Sequence, residues 1–322
     1  MDHPSSESAA RAAQDDRTLL GIGLMVVFCV VAPLIDVSSK IAVQSVSTGT
    51  VTLFRFVVQA ALMAPVVLLL RLPVRRSRTV LALTLARALV NIASTFTFVA
   101  AVRVMPIADA LAVAFVSPFI LLVMGRFILG ETIGARRLGA AVVGFSGTLL
   151  IIQPSFAAFG WVALLPVGCA FFFAVYMLIT RRLARDLHPV AMQFDTAVAA
   201  SLLCLPLLGL GTAAGWPSAG FSMPEGAIWF WCVGVGLMAT ISHMAMTYAL
   251  SFAPSSTLAP LNYLEIVTAT LFGFLFFGDF PGGMTWAGIG IVILSGLYVI
   301  HRERIAARDR RMALPLAGLD PV

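Results

Sequence analysis

The sequence predicts an all-α integral membrane protein of ten transmembrane helices, arranged as two inverted repeats of five. Three observations predict this. First, 60% of the 322 residues are hydrophobic and only 11% are charged, against about 25% charged in an average soluble domain. Second, the apolar residues gather in runs of about 20, the length that crosses a bilayer. Third, the chain repeats itself. "FVAAVRVMPIADAL" (Phe98 to Leu111) resembles "MTYALSFAPSSTLA" (Met246 to Ala259), with Ala101 on Ala249 and Pro106 on Pro254, an offset of 148.

The runs fall, in order, at 18–40, 48–70, 79–102, 105–127, 136–153, 159–180, 188–212, 226–250, 255–277 and 283–301. The first is too long for a signal-peptide core and is expected as a retained helix. The connectors after runs 2, 4 and 6 are basic: "RLPVRRSR", "GETIGARR" and "RRLARDLHP". Of the 21 Lys and Arg residues, only Lys40, Arg55, Arg87 and Arg103 lie away from these connectors and the two tails. By the positive-inside rule both termini are cytoplasmic, which an even number of spans requires. The net charge of +6 is therefore a topology signal and implies no nucleic-acid partner. The Gly-, Pro- and Ser-rich "GTAAGWPSAGFSMPEG" (Gly211 to Gly226) is expected as an external loop, and "WFWCVG" (Trp229 to Gly234) as part of an interfacial aromatic belt.

More of the repeat lies downstream. "FILGE" (Phe127 to Glu131) falls on "LFFGD" (Leu275 to Asp279), and Ser146-Gly147 falls on Ser295-Gly296 after a one-residue insertion. Five helices per half force the halves into opposite orientations, the plan of many secondary transporters, whose sites lie near the midplane between the halves. The expected division is a cytoplasmic tail (1–17), a first repeat (18–153), a second repeat (159–301) and a second tail (302–322).

Several motifs carry a family resemblance. They are "DVSSK" (Asp36 to Lys40), "FRF" around Arg55, "FVSPFILLVMGRFILGE" (Phe115 to Glu131), "GFSGTLLIIQP", "APLNYLE" and "SGLYVIHRER". In these the chain resembles the drug/metabolite transporter superfamily, EamA type, over everything but the tails. Its second half is similar to S-adenosylmethionine and riboflavin uptake transporters, and other members export amino acids and their metabolites. Gln153-Pro154 departs from the pattern, because many relatives carry a basic residue before that proline.

Polar residues inside apolar helices mark candidate sites, since a charge at the bilayer centre costs at least ~2.5–3.5 kcal/mol. Asn262, Glu265 and Thr268 share one face of helix 9. Glu265 is a candidate proton or cation carrier, or a partner for a basic substrate group; a structural hydrogen-bonding role is the alternative. Arg87, Asn91, Ser94 and Thr95 form a second stripe, and Thr240, His243 and Thr247 a third. The offset places Ser94-Thr95 on Ser242-His243, as one cavity shared by both halves requires. Arg55 lies seven residues into helix 2, roughly 10 Å deep. It is permanently charged and needs a partner: Asp36, Glu265 or a substrate anion. Asp36 and Lys40, at i and i+4, are expected as a structural ion pair. Asp195 is expected as an exposed interfacial acid. Tyr176, Tyr248 and Tyr263 are candidates to stack on a flat ligand.

The chain contains no HExxH, no Cys/His metal spacing, no Gly-rich phosphate loop and no GxSxG. No metal, cofactor or enzymatic activity is implied. The expected function is alternating-access transport of a small organic metabolite across a bacterial-type inner membrane. The ligand classes are S-adenosylmethionine or riboflavin for uptake, and amino acids or their metabolites for export. Coupled protons or exchanged substrate would supply the drive. A lipid flippase and a structural membrane protein are the readings of other classes.

The topology gives the first prediction. In a cysteine-free background, a cysteine replacing Ser77 should resist an impermeant thiol reagent in whole cells, and one replacing Ser218 should react. The opposite labelling pattern would refute the inverted arrangement.

Overall fold

The computed structural model describes residues 6–73, 76–129, 135–184, 186–253 and 258–313. Every regular element among them is helical. In chain order these are α1 (Ser6–Ala42), α2 (Thr48–Leu69), α3 (Arg78–Val102), α4 (Ile107–Ala114), α5 (Ser117–Leu129), α6 (Ala135–Phe159), α7 (Leu165–Leu183), α8 (Pro189–Ala213), α9 (Ile228–Phe252), α10 (Leu264–Phe277) and α11 (Gly283–Ala313). Two 3-10 turns, Gly160–Leu164 and Ala259–Tyr263, precede α7 and α10. Local chemistry sets several starts. Ser47 caps α2 by accepting from the Thr50 amide at 3.0 Å, and Ser77 caps α3 by accepting from Val80 at 3.2 Å. Proline opens α8 at its first position.

Large apolar side chains cover the outside of the bundle: Leu69 is 83% exposed and Phe127 80%. Trp229 and Phe230, in the expected aromatic belt, are also exposed. Buried polar residues such as Thr50, Arg87, Thr148 and Ser242 lie within. That distribution suits a chain whose solvent is lipid.

The spans differ from ten equal helices. Among the described residues, six stretches are long and apolar enough to cross a membrane: Thr18–Ala42, Thr48–Leu69, Arg78–Val102, Leu138–Leu183, Pro189–Ala213 and Ile228–Phe252. Three shorter apolar helices join them: Ile107–Leu121, Leu261–Phe277 and Gly283–Tyr298. The expected spans 5 and 6 merge in Leu138–Leu183, which is 46 residues long but breaks at Gly160, whose φ of 61° opens the 3-10 turn. The expected span 4 is divided between α4 and α5, and span 9 between a 3-10 turn and α10. The expected tails are partly helical as well. α1 begins at Ser6, through the Ala-rich "SESAARAAQ", and α11 continues to Ala313.

Helix contacts are symmetric between the halves. α1 packs on α9 as α7 packs on α3, and α10 packs on α1 as α4 packs on α7. The like pairs α2 with α8 and α6 with α11 also meet. Shifting by half the chain exchanges each contact with its mate, the pattern of an inverted repeat. The two repeat anchors Pro254 and Glu131, with most of "GETIGARR", lie outside the described residues.

Small residues let α6 and α11 approach closely. A Cβ on Gly288 would lie 2.7 Å from the Gly147 carbonyl oxygen and 2.5 Å from Ile151, whereas one on Gly290 would meet nothing within 4 Å. Backbone contact through glycine is a common device of membrane helices. Gly288→Val should therefore lower the Tm of purified protein in detergent, and Gly290→Ala should leave it within about a degree. Equal effects of the two would contradict this packing.

Candidate functional site

A cavity of about 290 Å³ opens between the halves. Its polar wall comes from both. Asp36 on α1, Arg55 on α2, and Asn91, Ser94 and Thr95 on α3 face Ser242 and His243 on α9, with Asn262 and Glu265 at the start of α10. The pairing of Ser94-Thr95 with Ser242-His243 is thus realised in space. Phe28, Phe98, Phe115, Phe173 and Tyr176 supply aromatic walls.

Two helix breaks build the floor. α4 ends at Ala114 and α5 starts at Ser117, while Asn262 sits in the 3-10 turn that leads into α10. Ala114, Phe115, Ser117 and Pro118 line the cavity on one side, and Asn262 and Glu265 on the other. At the offset of 148, Phe115 matches Tyr263, and these two rings touch, with centroids 5.6 Å apart. Interrupted helices beside a central cavity are a common way for transporters to present polar groups at mid-membrane.

Arg55 is fixed by two bonds. Nη1 donates to Thr95 Oγ1, and Nη2 lies 3.0 Å from His243 Nε2. Asp36 and Glu265 line the same cavity, yet neither forms a salt bridge to Arg55 among the described residues. The expected Asp36–Lys40 pair does not form. Lys40, in the last turn of α1, reaches outward to Asp279 at 2.6 Å and to the Met105 carbonyl at 3.0 Å, and its ammonium lies over the Phe277 ring. The long lysine stem favours partners at the helix end, and the short Asp36 carboxyl stays at the cavity one turn deeper.

A second ion pair, Arg76 with Asp195 at 2.5 Å, also joins the halves. Asp195 is thus a partnered residue, only 15% exposed, and not a free surface acid. Lys40 precedes α2 and Arg76 follows it, so the two ion pairs sit beyond opposite ends of that helix.

Other candidates are placed differently. Arg87 is fully buried and absent from the cavity wall. Its guanidinium donates to Thr180 Oγ1 at 2.8 Å, to Thr196 Oγ1, to Tyr176 Oη and to the Met192 carbonyl at 3.3 Å. It also lies over the Tyr176 ring. This fork ties α3 to α7 and α8 and holds Tyr176 at the cavity. Tyr263 packs against Phe115 and against Gly296, where no Cβ could fit beside its hydroxyl. Tyr248 is exposed on the outer surface, stacked on Phe252. Thr268 leaves the polar stripe to donate to the Cys29 carbonyl at 2.6 Å, joining α10 to α1. The sequence reading missed Phe28, Phe98, Phe115 and Phe173. Their proximity to the helix breaks was the available signal only for Phe115, through the "SP" that follows it.

A cavity with one polar wall, set between two matched sets of membrane helices, is an arrangement common among secondary transporters. The chain belongs to the EamA-like transporter family, whose model matches it twice, over residues 19–153 and 160–301. The protein is therefore a multi-pass membrane transporter and not an enzyme. A riboflavin transporter of Rhizobium johnstonii is 32% identical over 216 residues, which cover 67% of this chain and 68% of that one. An S-adenosylmethionine uptake transporter of Rickettsia felis is 25% identical over 289 residues, 89% of this chain and 95% of that one. A solved structure 19% identical to this chain superposes with a TM-score of 0.58 over 90% of this chain and 98% of the other. That likeness concerns the fold.

The contrast between Arg87 and Tyr248 can be measured. Arg87→Met removes a donor fork and leaves the buried Tyr176 hydroxyl without its partner, at roughly 1–3 kcal/mol for an unsatisfied group, while Thr180 and Thr196 keep their bonds to helix carbonyls. It should lower the Tm by several degrees, whereas Tyr248→Leu should alter neither Tm nor transport. Unchanged stability of Arg87→Met would remove the anchoring role.

Proposed function

We propose that the protein takes up a flat, neutral heteroaromatic metabolite with polar substituents, riboflavin being the leading candidate, by alternating access across a bacterial inner membrane. The observation that carries this reading is the cavity between the halves, where aromatic walls from Phe28, Phe98, Phe115, Phe173 and Tyr176 stand beside amide, hydroxyl and charged groups. Rings stack on the walls, and hydroxyls and ring carbonyls meet Asn91, Thr95, Arg55, His243 and Asn262. The riboflavin transporter among the relatives supports the same class.

In this reading the chain crosses the bilayer ten times. Leu138–Leu183 crosses twice about its bend at Gly160, since 46 helical residues would extend roughly 69 Å against a hydrocarbon core of about 30 Å. The divided α4–α5 segment, the shorter α10 and the apolar Gly283–Tyr298 part of α11 supply three more crossings. Residues 18–153 and 159–301 form the two inverted repeats, and both termini lie in the cytoplasm, following the basic connectors. The ion pairs Lys40–Asp279 and Arg76–Asp195 then lie toward the outer and inner faces respectively.

A second reading, uptake of S-adenosylmethionine, is favoured by one feature. Asp36 and Glu265 line the cavity with no hydrogen bond or salt bridge among the described residues, beside the single cation Arg55. Two carboxyl groups and one guanidinium complement a ligand with two cationic centres and one carboxylate. Glu265 serves as a cation anchor in that case, and as a hydrogen-bonding or proton-carrying group in the first.

Proteoliposomes separate these readings. Saturable uptake of labelled riboflavin, not competed by S-adenosylmethionine, is the expected result. Uptake of S-adenosylmethionine alone would select the second reading, and uptake of neither would reject both. Glu265→Gln should insert and fold. If Glu265 carries protons, the variant keeps substrate exchange and loses its response to a pH gradient; if Glu265 anchors substrate, it loses binding. Normal exchange, gradient response and affinity together would leave Glu265 a structural contact.

A further inference from the structure

Two buried donors at the cavity have nothing to bond among the described residues. Arg55 Nε and His243 Nδ1 are shielded from solvent and lack a hydrogen-bond partner there, although both residues line the cavity. The other atoms of the pair determine what these two are. A guanidinium has donors and no acceptor, so in the contact between Arg55 Nη2 and His243 Nε2 the imidazole nitrogen must accept. A neutral imidazole that accepts at Nε2 carries its proton on Nδ1. Both orphan atoms are therefore N–H donors.

The pair is also held in place. Thr95 takes Nη1 of the same guanidinium, so Arg55 bonds one residue of its own half and one of the other. A buried donor without a partner is costly, and a bound acceptor removes that cost. Arg87 sets the contrast, because its Nε, Nη1 and Nη2 all find acceptors within the protein.

We infer that Arg55 and His243 form one recognition unit spanning the two halves, with His243 as the neutral Nδ1–H tautomer, and that its two free N–H groups, which diverge, each take an acceptor oxygen of the substrate. This rests on the reading of the cavity as the substrate site. The ring carbonyls and side-chain hydroxyls of a flavin, and the carboxylate and ribose hydroxyls of S-adenosylmethionine, are two sources of such oxygens. The unit confers specificity: a ligand with the same shape but no such oxygen leaves the two donors unpaired.

The tautomer is tested without any ligand. The chain has four histidines, and ¹⁵N-histidine spectra of the protein in nanodiscs, compared with His243→Gln, identify the His243 signals. A protonated Nδ1 and an accepting Nε2 are expected. A protonated Nε2, or a doubly protonated ring, would overturn the unit. The acceptor is tested by binding to the same preparation. Riboflavin is compared with phenazine, a tricycle without ring carbonyls, and S-adenosylmethionine with its decarboxylated form. Whichever parent ligand binds should exceed its analogue without the ring carbonyls or the carboxylate by about ten-fold or more. That preference should collapse in His243→Leu and persist in His243→Gln, whose amide can both accept from Arg55 and donate. A preference unchanged in His243→Leu overturns the acceptor role. If His243→Leu does not fold, loss of the preference in His243→Gln overturns it instead. If neither parent ligand binds, the substrate reading falls and takes the acceptor role with it, while the tautomer stands or falls on the ligand-free spectrum.

Discussion

In hydrocarbon a polar group has no solvent to bond, so each one must find its partner within the protein or around a cavity the protein encloses. The interior of this transporter follows from that constraint. Two arginines show its two outcomes. Arg87 commits every nitrogen of its guanidinium to hydroxyls and a carbonyl from α7 and α8, and so becomes a rivet between helices. Arg55 is bonded at both terminal nitrogens but left open at Nε, and it faces the cavity. The same side chain is scaffold where all its nitrogens are satisfied and cavity lining where one is left open.

The constraint also explains why the helices that are broken lie beside the cavity. An interruption frees backbone groups that lipid cannot satisfy, so it is tolerated only against protein or water. The α4–α5 break and the 3-10 turn before α10 both occur at the cavity wall. They place Ser117 and Pro118 in one half near Asn262 and Glu265 in the other. The other helices need no such break: α2, α3, α8 and α9 run 22 to 25 residues without interruption, and α2, α3 and α9 reach the cavity wall through side chains alone. The packing between α6 and α11 depends on the opposite economy of space, with Gly147 and Gly288 allowing the backbones to meet.

Much of this was legible in the sequence, because helical spacing in an apolar run shows which polar residues share a face. Arg55, Asn91, Thr95, His243, Asn262 and Glu265 reached one cavity for that reason. What spacing cannot give is reach and direction. Lys40 and Asp36 have the spacing of a pair, but Lys40 found Asp279, 239 residues away in sequence. Tyr248 lies on the lipid side of α9, although it is only five residues from His243. Aromatic walls were invisible for a related reason: in a chain with 23 phenylalanines, a ring that faces lipid and one that faces a cavity look alike. The repeat predicted the matching of the halves, while the interruptions in the fourth and ninth spans carry only weak marks, a Pro after Ser117 and a Pro before Leu261.

The meeting of Phe115 with Tyr263 has a geometric consequence. These residues are counterparts in the repeat, and they touch each other, so their contact lies on the pseudo-twofold axis that relates the halves. If the halves exchange conformations, as alternation between outward and inward states of an inverted repeat implies, that operation carries every off-axis contact to a different place and returns this one to itself. Under that operation the two rings would be the fixed point, and the ion pairs beyond the ends of α2, Lys40–Asp279 and Arg76–Asp195, would be carried farther than the cavity wall beside the rings.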